Sequence, residues 1–459
     1  MAKTMKKSAK FAVWLLILSL IVPVFSGCGK KSVQYKLDLE VWGVFDDADA
    51  YREIIAEYRK INPFIKGINY KKFTVDNYKK DIINALASGN GPDIFMINNS
   101  WMPEFEDKVA PAPSYLINEH QFRSNFVDVA ADDFLGKSGE IYGAPLSVDS
   151  LALYYNKDIF NAAGIANPPK NWEEVVEYSK KITSISDIGS IERAGIALGT
   201  SYNINRSTDI IDLLFFQHGT EMPTRNNPNF KVDFNIGTDV LEFYTQFARS
   251  SSPAYSWNSA MHYSIDSFYE GDLAMMLNYS WHIETLKSKN AKLNFATAKI
   301  PQLSEKTPAN VANYWSFVVN KNKLVQTKEG EAPINNEERI HEAWEFLKFM
   351  TFKNDGSFNV INIKSKGEKA FATSIDPAGV YLESTKKPAA RRDLIETQKS
   401  DPMLSPFAYG NLIAETWYRK DAETIENVWA EIINSINKGD MKVMEGINLI
   451  RSRIDEINR

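Results

Sequence analysis

Tryptophan and tyrosine are the side chains of this sequence best suited to contact a ligand. The 459-residue chain contains 10 tryptophans and 20 tyrosines. Such rings combine a flat apolar face with a polar group, which favours half-solvated surfaces where a ligand docks. Trp172, Trp344 and Trp429 fall in helical apolar stripes and are expected to be core residues. The remaining candidates lie near predicted strand ends or in loops: Trp42, Trp101, Trp257, Trp281, Trp315 and Trp417.

Carboxylate and amide side chains lie close to these rings along the sequence. Asp46 follows Trp42, Asn98 precedes Trp101, and Asp149 precedes an apolar strand pattern. Rings that stack on C–H faces, with Asp and Asn side chains that bond to hydroxyls, are a combination that binds sugar-like molecules. Two alternatives remain open, since Asp46 can cap the following helix and Asn98 can lie in a surface turn.

Motifs of several enzyme classes are missing from the sequence. It contains no Gly-x-Ser-x-Gly, Walker A or His-Glu-x-x-His pattern. A glycosidase needs two carboxylates about 5–10 Å apart. Among 58 acidic residues, the pair to test is Asp149 with Asp46 or Glu104. We expect a protein that is not an enzyme and needs no cofactor, with a carbohydrate-active enzyme as the alternative and a structural surface protein as a third class.

Strand and helix patterns alternate along the first hundred residues. A period of two over residues 35–41 predicts a strand, and apolar residues at helical spacing over 51–61 predict the helix that follows. A second such unit covers residues 68–89, and the apolar run 94–97 predicts a short buried strand. The alternation favours an α/β fold with a mostly parallel sheet.

The N-terminal segment has the layout of a secretory signal. Four lysines precede the 12-residue apolar run 11–22, and Phe25-Ser26-Gly27-Cys28 follows. The run is shorter than the ~20 residues of a membrane span. The small-small-Cys ending resembles a bacterial lipobox, which implies cleavage before Cys28 and lipid attachment to it. We therefore predict a signal peptide over 1–27, a lipidated tether over 28–34, and an extracytoplasmic, membrane-anchored protein.

Charge and cysteine content exclude several further classes. Without residues 1–27 the chain has 49 basic and 58 acidic residues, a formal balance of −9. A nucleic-acid partner would require a basic face. Cys28 is the only cysteine, so disulfides and thiolate metal sites are not expected. The length exceeds what one hydrophobic core normally holds, which favours two lobes.

Five segments, in this order along the chain, resemble the extracellular solute-binding protein family 1, the sugar-type receptors of ABC importers. They are 89–94 (GNGPDI), 141–165 (IYGAPLSVDSLALYYNKDIFNAAGI), 268–276 (FYEGDLAMM), 279–281 (YSW) and 343–349 (AWEFLKF). Together the matches cover roughly residues 37–455. The sequence departs from the family at Tyr314-Trp315, where a glycine pair is common. A side-chain contact is therefore expected there in place of a backbone contact.

The resemblance implies an α/β, two-lobed periplasmic-binding-protein fold with a hinge of crossing strands. We expect residues 35–145 plus about 299–350 in the N-terminal lobe, and 146–298 plus about 351–459 in the C-terminal lobe. The implied function is capture of a carbohydrate, or alternatively a non-sugar solute, by cleft closure. The implied partners are the transmembrane subunits of an ABC permease, and we expect a monomer.

The resemblance also implies where ligand is held. The loop after the first strand contains Trp42 and Asp46, and the loop after the Gly-Pro-Asp strand contains Asn98 and Trp101. Asp149 lies just before the hinge strand. The remaining predicted ligand-binding residues are Trp257, Tyr279, Trp281 and Trp315. Tyr154 and Tyr155 are adjacent in a strand and point to opposite faces, so we expect them to pack in the hinge.

Overall fold

The computed structural model describes residues 36–324 and 334–459, so the predicted signal peptide, the tether and Cys28 lie outside the described residues. The described chain is a mixed α/β protein with two hydrophobic cores. Its strands are β1 (Leu37–Val44), β2 (Ile65–Phe73), β3 (Ile94–Asn98), β4 (Val109–Ala110), β5 (Gly143–Ala144), β6 (Ala152–Asn156), β7 (Ser184–Ile185), β8 (Ile191–Ile196), β9 (Leu273–Asn278), β10 (Phe295–Ala298), β11 (Asn310–Val311), β12 (Trp315–Asn320), β13 (Ser357–Asn362), β14 (Gly367–Ala372) and β15 (Ala414–Glu415).

Helices surround the two main sheets. They are α1 (Asp49–Ile61), α2 (Val75–Ala87), α3 (Met102–Phe105), α4 (Glu119–Asn125), α5 (Asp128–Phe134), α6 (Lys157–Ala162), α7 (Trp172–Ile182), α8 (Ser207–Gln217), α9 (Phe234–Thr245), α10 (Ser264–Glu270), α11 (His282–Lys289), α12 (Asn336–Thr351), α13 (Pro377–Thr385), α14 (Arg392–Ile395), α15 (Ser405–Gly410), α16 (Ala422–Lys438) and α17 (Val443–Asn458). None of the helices within the described ranges combines the length and apolar character needed to cross a membrane.

The first lobe is built on a six-stranded sheet in the order β2-β1-β3-β12-β4, with β5 also paired to β12. The pairs β1–β2 and β1–β3 are parallel, as the alternating patterns predict. β12 enters antiparallel to β3, because it returns from the second lobe. The parallel arrangement brings the carboxyl ends of β1 and β3 to one edge, where ligands bind in open α/β sheets.

The second lobe is built on the five-stranded sheet β10-β6-β9-β8-β7. Only the β8–β9 pair is parallel in this sheet, and its other three pairs are antiparallel. The parallel pairing predicted from the first hundred residues holds for β1, β2 and β3, but β12 pairs antiparallel with all its neighbours in the first sheet, and most pairs of the second sheet are antiparallel too.

The lobes are joined where three chain segments cross side by side. Ser150 bridges Ala312, β11 pairs with β15, and the Ala312 amide donates to the Glu415 carbonyl. The Asn313 amide donates to the Asp149 carbonyl at 3.0 Å. These backbone bonds form the predicted hinge of crossing strands.

The lobe boundaries differ from those that we expected. Apolar residues between Phe352 and Ile395 belong to the first core, whereas Ile300 and Ala309 belong to the second. The β13–β14 hairpin lies on the first lobe because Phe358 packs on Phe349, at 5.2 Å between ring centroids. The assignment of all residues from 351 to 459 to the second lobe is therefore wrong for 352–395.

A buried pair of acids lies under this hairpin. Asn62 Nδ2 donates to Glu342 Oε2 at 2.9 Å and to Glu345 Oε2 at 3.1 Å, and the Ile361 amide donates to Glu345 Oε1. Burial, followed by the charge of Glu342, raises the pKa of Glu345 to about 9. Glu345 therefore holds a proton in the folded protein at neutral pH.

We predict that Glu345→Gln stabilises the protein at alkaline pH. The unfolded carboxyl ionises above its ordinary pKa of 4.5 while the folded one stays protonated to about 9. The free energy of unfolding of the wild type should therefore fall as pH rises between these values. Thermal melting at pH 5 and pH 8 should show the variant gaining about 2–4 °C over wild type at pH 8. Glu337→Gln, on the exposed face of α12, is the control. An equal difference at both pH values for Glu345→Gln would contradict the prediction.

Candidate functional site

Half-exposed aromatic rings lie on both lobes, next to residues of the hinge. On the first lobe Phe45, Trp101 and Trp315 form one cluster, which we call the first-lobe platform. The centroid of Trp315 lies 5.4 Å from that of Phe45 and 4.8 Å from that of Trp101, both edge-on. On the second lobe Trp281 is 39% exposed. Of the predicted tryptophans, Trp101, Trp281 and Trp315 therefore keep solvent-accessible faces.

Trp281 is supported from beneath by Tyr279. The two rings stack with centroids 4.5 Å apart and planes 20° apart. Tyr279 is fully buried, its hydroxyl donates to Asp209 Oδ2 at 2.7 Å, and its carbonyl accepts from Tyr154. Tyr279 thus fixes the orientation of Trp281, and Tyr154 packs in the core beside the hinge as expected.

A hydrogen-bond chain connects the platform to this support across the hinge. Asn98 Nδ2 donates to Asn313 Oδ1 at 3.0 Å. Asn313 Nδ2 lies 3.4 Å from Asp209 Oδ2, the same oxygen that accepts from Tyr279. We call the run Asn98–Asn313–Asp209–Tyr279 the hinge chain. Asn98 also accepts from Ser100, so it positions the strand end instead of presenting free polar atoms to solvent.

Asp149 is a second tie between the hinge and the loop of Trp281. Its Oδ2 accepts from the Ser280 amide at 2.9 Å and the Ser280 hydroxyl at 2.6 Å, and its Oδ1 accepts from the Ser150 amide. Burial raises the pKa of Asp149 to about 7, against the lowering effect of the Ser280 bonds. Asp149 therefore holds the loop that presents Trp281.

Asp46 is occupied by an ion pair at the end of β1. Lys387 Nζ lies 2.6 and 2.7 Å from its two carboxylate oxygens, and Tyr381 and Tyr51 donate to Oδ2 at 2.8 and 3.3 Å. Asp46 thereby anchors the loop next to Phe45, whose backbone is left-handed with φ +68°. Such a conformation is costly for a non-glycine residue and is often found at functional sites.

Two predicted tryptophans lie in the cores and do not face the cleft. Trp42 is inside β1, because the strand continues to Val44, and its ring packs on Phe73 at 4.5 Å. Trp257 is fully buried, and its indole N–H donates to Asn203. The prediction that Trp42 follows the first strand is wrong, and neither ring has a face available for stacking.

A cavity of about 680 Å³ is lined by residues of both lobes, and neither Trp281 nor a ring of the first-lobe platform is among them. Asn99 and Asp133 line it from the first lobe, and Trp417, Tyr418 and Arg419 line it from the second. This volume falls in the range of small-molecule sites. Sequence reasoning grouped Trp417 with the loop tryptophans but missed its two neighbours and Phe45. An aromatic residue directly after an apolar strand was the available signal for Phe45.

Asp133 connects this cavity to the hinge. Its Oδ2 accepts from Tyr314 at 2.7 Å and Asn99 at 3.1 Å, and its Oδ1 accepts from Thr416 at 2.6 Å. Burial raises the pKa of Asp133, while these hydrogen bonds lower it. Tyr314 therefore supports the hinge from the interior, whereas the ring of its neighbour Trp315 remains partly exposed to solvent. Within the described ranges, no three acidic, histidine or cysteine side chains are grouped to hold a metal ion.

Comparison with known proteins places the chain among binding proteins. The family model described as bacterial extracellular solute-binding protein matches residues 43–355. A maltotriose-binding protein of Pyrococcus abyssi is 23% identical over 67% of this chain and 60% of its own length. An sn-glycerol-3-phosphate-binding periplasmic protein of Salmonella paratyphi A is 25% identical over 53% of this chain and 54% of its own. The matches thus span about half to three-fifths of these relatives.

A solved structure shares the fold. The cyclic alpha-maltosyl-1,6-maltose binding protein of Arthrobacter globiformis superposes with a TM-score of 0.67 at 17% identity, covering 92% of this chain and 99% of that one. These relatives are named as binding proteins, in agreement with the expectation that the chain is not an enzyme. The two-lobed fold and the family match over residues 43–355 establish that the chain belongs to the bacterial extracellular solute-binding protein family.

Proposed function

We propose that the protein captures a carbohydrate between its lobes and delivers it to an ABC importer. The observation that carries this proposal is the pair of aromatic surfaces, the first-lobe platform and Trp281, which lie next to the two ends of the hinge chain. Aromatic faces pack against the C–H faces of sugars, and polar groups around them accept and donate to hydroxyls. The maltotriose-binding relative supports a sugar ligand.

Cleft closure is the step that would couple binding to transport. A ligand shifts the balance between open and closed lobes only by its differential affinity for the closed form. A solute that contacts Trp281 and Trp315 together has that property, because each ring belongs to a different lobe. The closed, loaded form is then the species that an importer distinguishes from the free receptor. We expect the receptor to act as a monomer.

A glycosidase was the alternative function, with Asp149 and either Asp46 or Glu104 as its pair of carboxylates. All three carboxylates already have protein partners. Asp46 is held by Lys387, and Asp149 accepts from Ser280 and Ser150. Glu104 forms an ion pair with Lys79 at 2.6 Å. A general acid and a nucleophile must be free to reach the glycosidic bond. The hydrogen bonding of these three acids therefore favours binding over hydrolysis.

The first prediction concerns ligand-induced stabilisation. A sugar that binds the native form raises the melting temperature, so a screen of neutral mono- and oligosaccharides should identify at least one such ligand. Trp281→Ala and Trp315→Ala should each reduce its affinity by about tenfold or more, measured by calorimetry. Trp172→Phe, in the second core, is the control and should retain affinity. A screen in which no sugar changes the melting temperature would count against carbohydrate capture.

The second prediction separates structural from ligand-contacting carboxylates. Asp46→Ala leaves the Lys387 ammonium and two tyrosine hydroxyls without their acceptor, so we expect a loss of about 2–4 kcal/mol of unfolding free energy. Asp47→Ala is the matched control, since Asp47 is exposed and surface pairs contribute less than about 1 kcal/mol. Denaturant unfolding of both variants measures the difference. Equal midpoints, with sugar binding lost only in Asp46→Ala, would instead make Asp46 a ligand contact.

The third prediction concerns the membrane anchor. We propose that the chain is a lipoprotein modified at Cys28, which keeps the receptor near its importer. Cys28→Ser should move the protein from the membrane fraction to the soluble fraction while the sugar affinity stays unchanged. Fractionation followed by calorimetry tests both parts. Retention of the variant in the membrane fraction would show that the anchor is something other than the cysteine lipid.

A further inference from the structure

We propose that one loop of the second lobe, residues 219–227, is a strap that holds the two lobes together. Arg225, near its tip, forms an ion pair with Glu106 of the first lobe, and separation of the lobes must break this pair. The strap is a property of the lobes themselves. Its consequence for release of a solute rests on the proposed function, because release requires the lobes to open.

Both ends of the strap are held by the second lobe. Gly219 lies two residues after the end of α8 with φ +71°, a conformation that glycine adopts readily and that turns the chain away from the helix axis. The Tyr418 amide donates to the Pro223 carbonyl at 2.8 Å. Directly after the strap, Asn458 Nδ2 donates to the Pro228 carbonyl at 3.0 Å. The strap therefore moves with the second lobe.

The tip of the strap is a tight turn closed by its own backbone. The Thr224 amide donates to the Asn227 carbonyl at 2.9 Å, and the Asn227 amide donates to the Thr224 carbonyl at 3.1 Å. Thr224 Oγ1 also accepts from the Asn227 amide at 3.1 Å. These bonds leave Arg225 and Asn226 at the end of the turn. A turn fixed in this way positions the Arg225 side chain with little further loss of backbone entropy.

Arg225 crosses from this turn to the first lobe. Its Nη1 donates to Glu106 Oε1 at 3.1 Å, and its Nη2 lies 3.5 Å from the Asp133 carbonyl oxygen. Glu106 directly follows α3, whose Phe105 lies in the first core, and Asp133 lies in the last turn of α5. The carbonyl end of a helix carries partial negative charge, which favours a guanidinium. One arginine therefore contacts two separate segments of the opposite lobe.

The strap and the hinge restrain the lobes at two different places. Strap residues 219–226 line the cavity of about 680 Å³ together with Asp132 and Lys137 of the first lobe, and Glu415 of the hinge lines it as well. Lobes that are joined only at a hinge rotate about it. A second contact between the lobes restrains that rotation.

The ion pair of the strap is partly exposed, with 17% of the Arg225 side chain and 46% of the Glu106 side chain accessible to solvent. Ion pairs of this exposure contribute little free energy and are weakened further by salt. The strap therefore shifts the balance between closed and open lobes without locking it. Because the pair forms only when the lobes are close, it raises the closed fraction, which slows release of a bound solute.

The first test measures the distance between the lobes in the ligand-free protein. In a Cys28→Ser background, Lys80→Cys in α2 and Lys289→Cys in α11 supply one exposed labelling site on each lobe. Pulsed electron paramagnetic resonance of the spin-labelled protein gives the distribution of distances between the two sites. We expect Arg225→Gln and Glu106→Gln each to shift this distribution towards longer distances, because open lobes lie farther apart.

The second test measures release of the sugar identified by thermal screening, in a stopped-flow experiment. Arg225→Gln and Glu106→Gln should each raise the dissociation rate about two- to fivefold, which corresponds to about 0.4–1 kcal/mol. The double variant should release sugar no faster than Arg225→Gln alone, because either substitution breaks the same pair.

Asp107→Asn is the matched control for both tests. It removes the same charge one residue away from Glu106, where the carboxylate is exposed and pairs with Lys108 at 2.6 Å. We expect this variant to keep the distance distribution and the dissociation rate of the wild type.

The outcomes separate the strap from other roles of Arg225. Unchanged distances in both variants, or additive effects of the two substitutions on release, overturn the strap. Faster release in Arg225→Gln with no effect of Glu106→Gln overturns it too, and makes Arg225 a ligand contact, since of these two residues only Arg225 is in the described lining of the cavity. If no sugar binds, the proposed function fails, whereas the distance measurement needs no ligand and still decides whether the strap holds the lobes.

Discussion

The hinge chain is the constraint on which the rest of the site depends. Asn98, Asn313, Asp209 and Tyr279 come from four separate segments, and consecutive side chains lie 2.7–3.4 Å apart. Buried polar groups are costly when they are unpaired, so the four side chains stabilise one another only in this arrangement. The chain links the carboxyl end of β3 in one lobe to the ring that supports Trp281 in the other. It therefore sets the geometry of the two aromatic surfaces relative to the hinge.

Around the hinge chain, some residues hold the loops in place and others expose their side chains to solvent. Asp149 holds the loop of Trp281 through Ser280, and Asp46 holds the loop of Phe45 through Lys387. Both carboxylates form hydrogen bonds or ion pairs with protein groups. The exposed groups are aromatic rings, which lose little when they exchange water for the C–H face of a sugar. Because the exposed rings are already held rigidly, ligand binding costs less conformational entropy of side chains and loops.

The sequence predicted the fold and the exposed rings better than the roles of the polar residues. Periodicity located α1 and β3, and the family resemblance located the loop of Trp281 and the hinge. The partners of Asp46 could not be inferred, because Lys387 is 341 residues away and reaches Asp46 only after 352–395 folds onto the first lobe. Trp42 was misjudged because the strand signal gave no reason to extend β1 past Val41. Arg419 carries no local pattern, since it meets the rest of the cavity lining only through residues far along the chain.

The proposed function requires that one carbohydrate molecule is held between rings from both lobes. A crystal structure of the protein with the sugar identified by thermal screening would show whether both lobes contact it. We expect density for the sugar in contact with Trp281 on one side and Trp315 on the other. Sugar bound to one lobe alone, or outside the cleft, would contradict it.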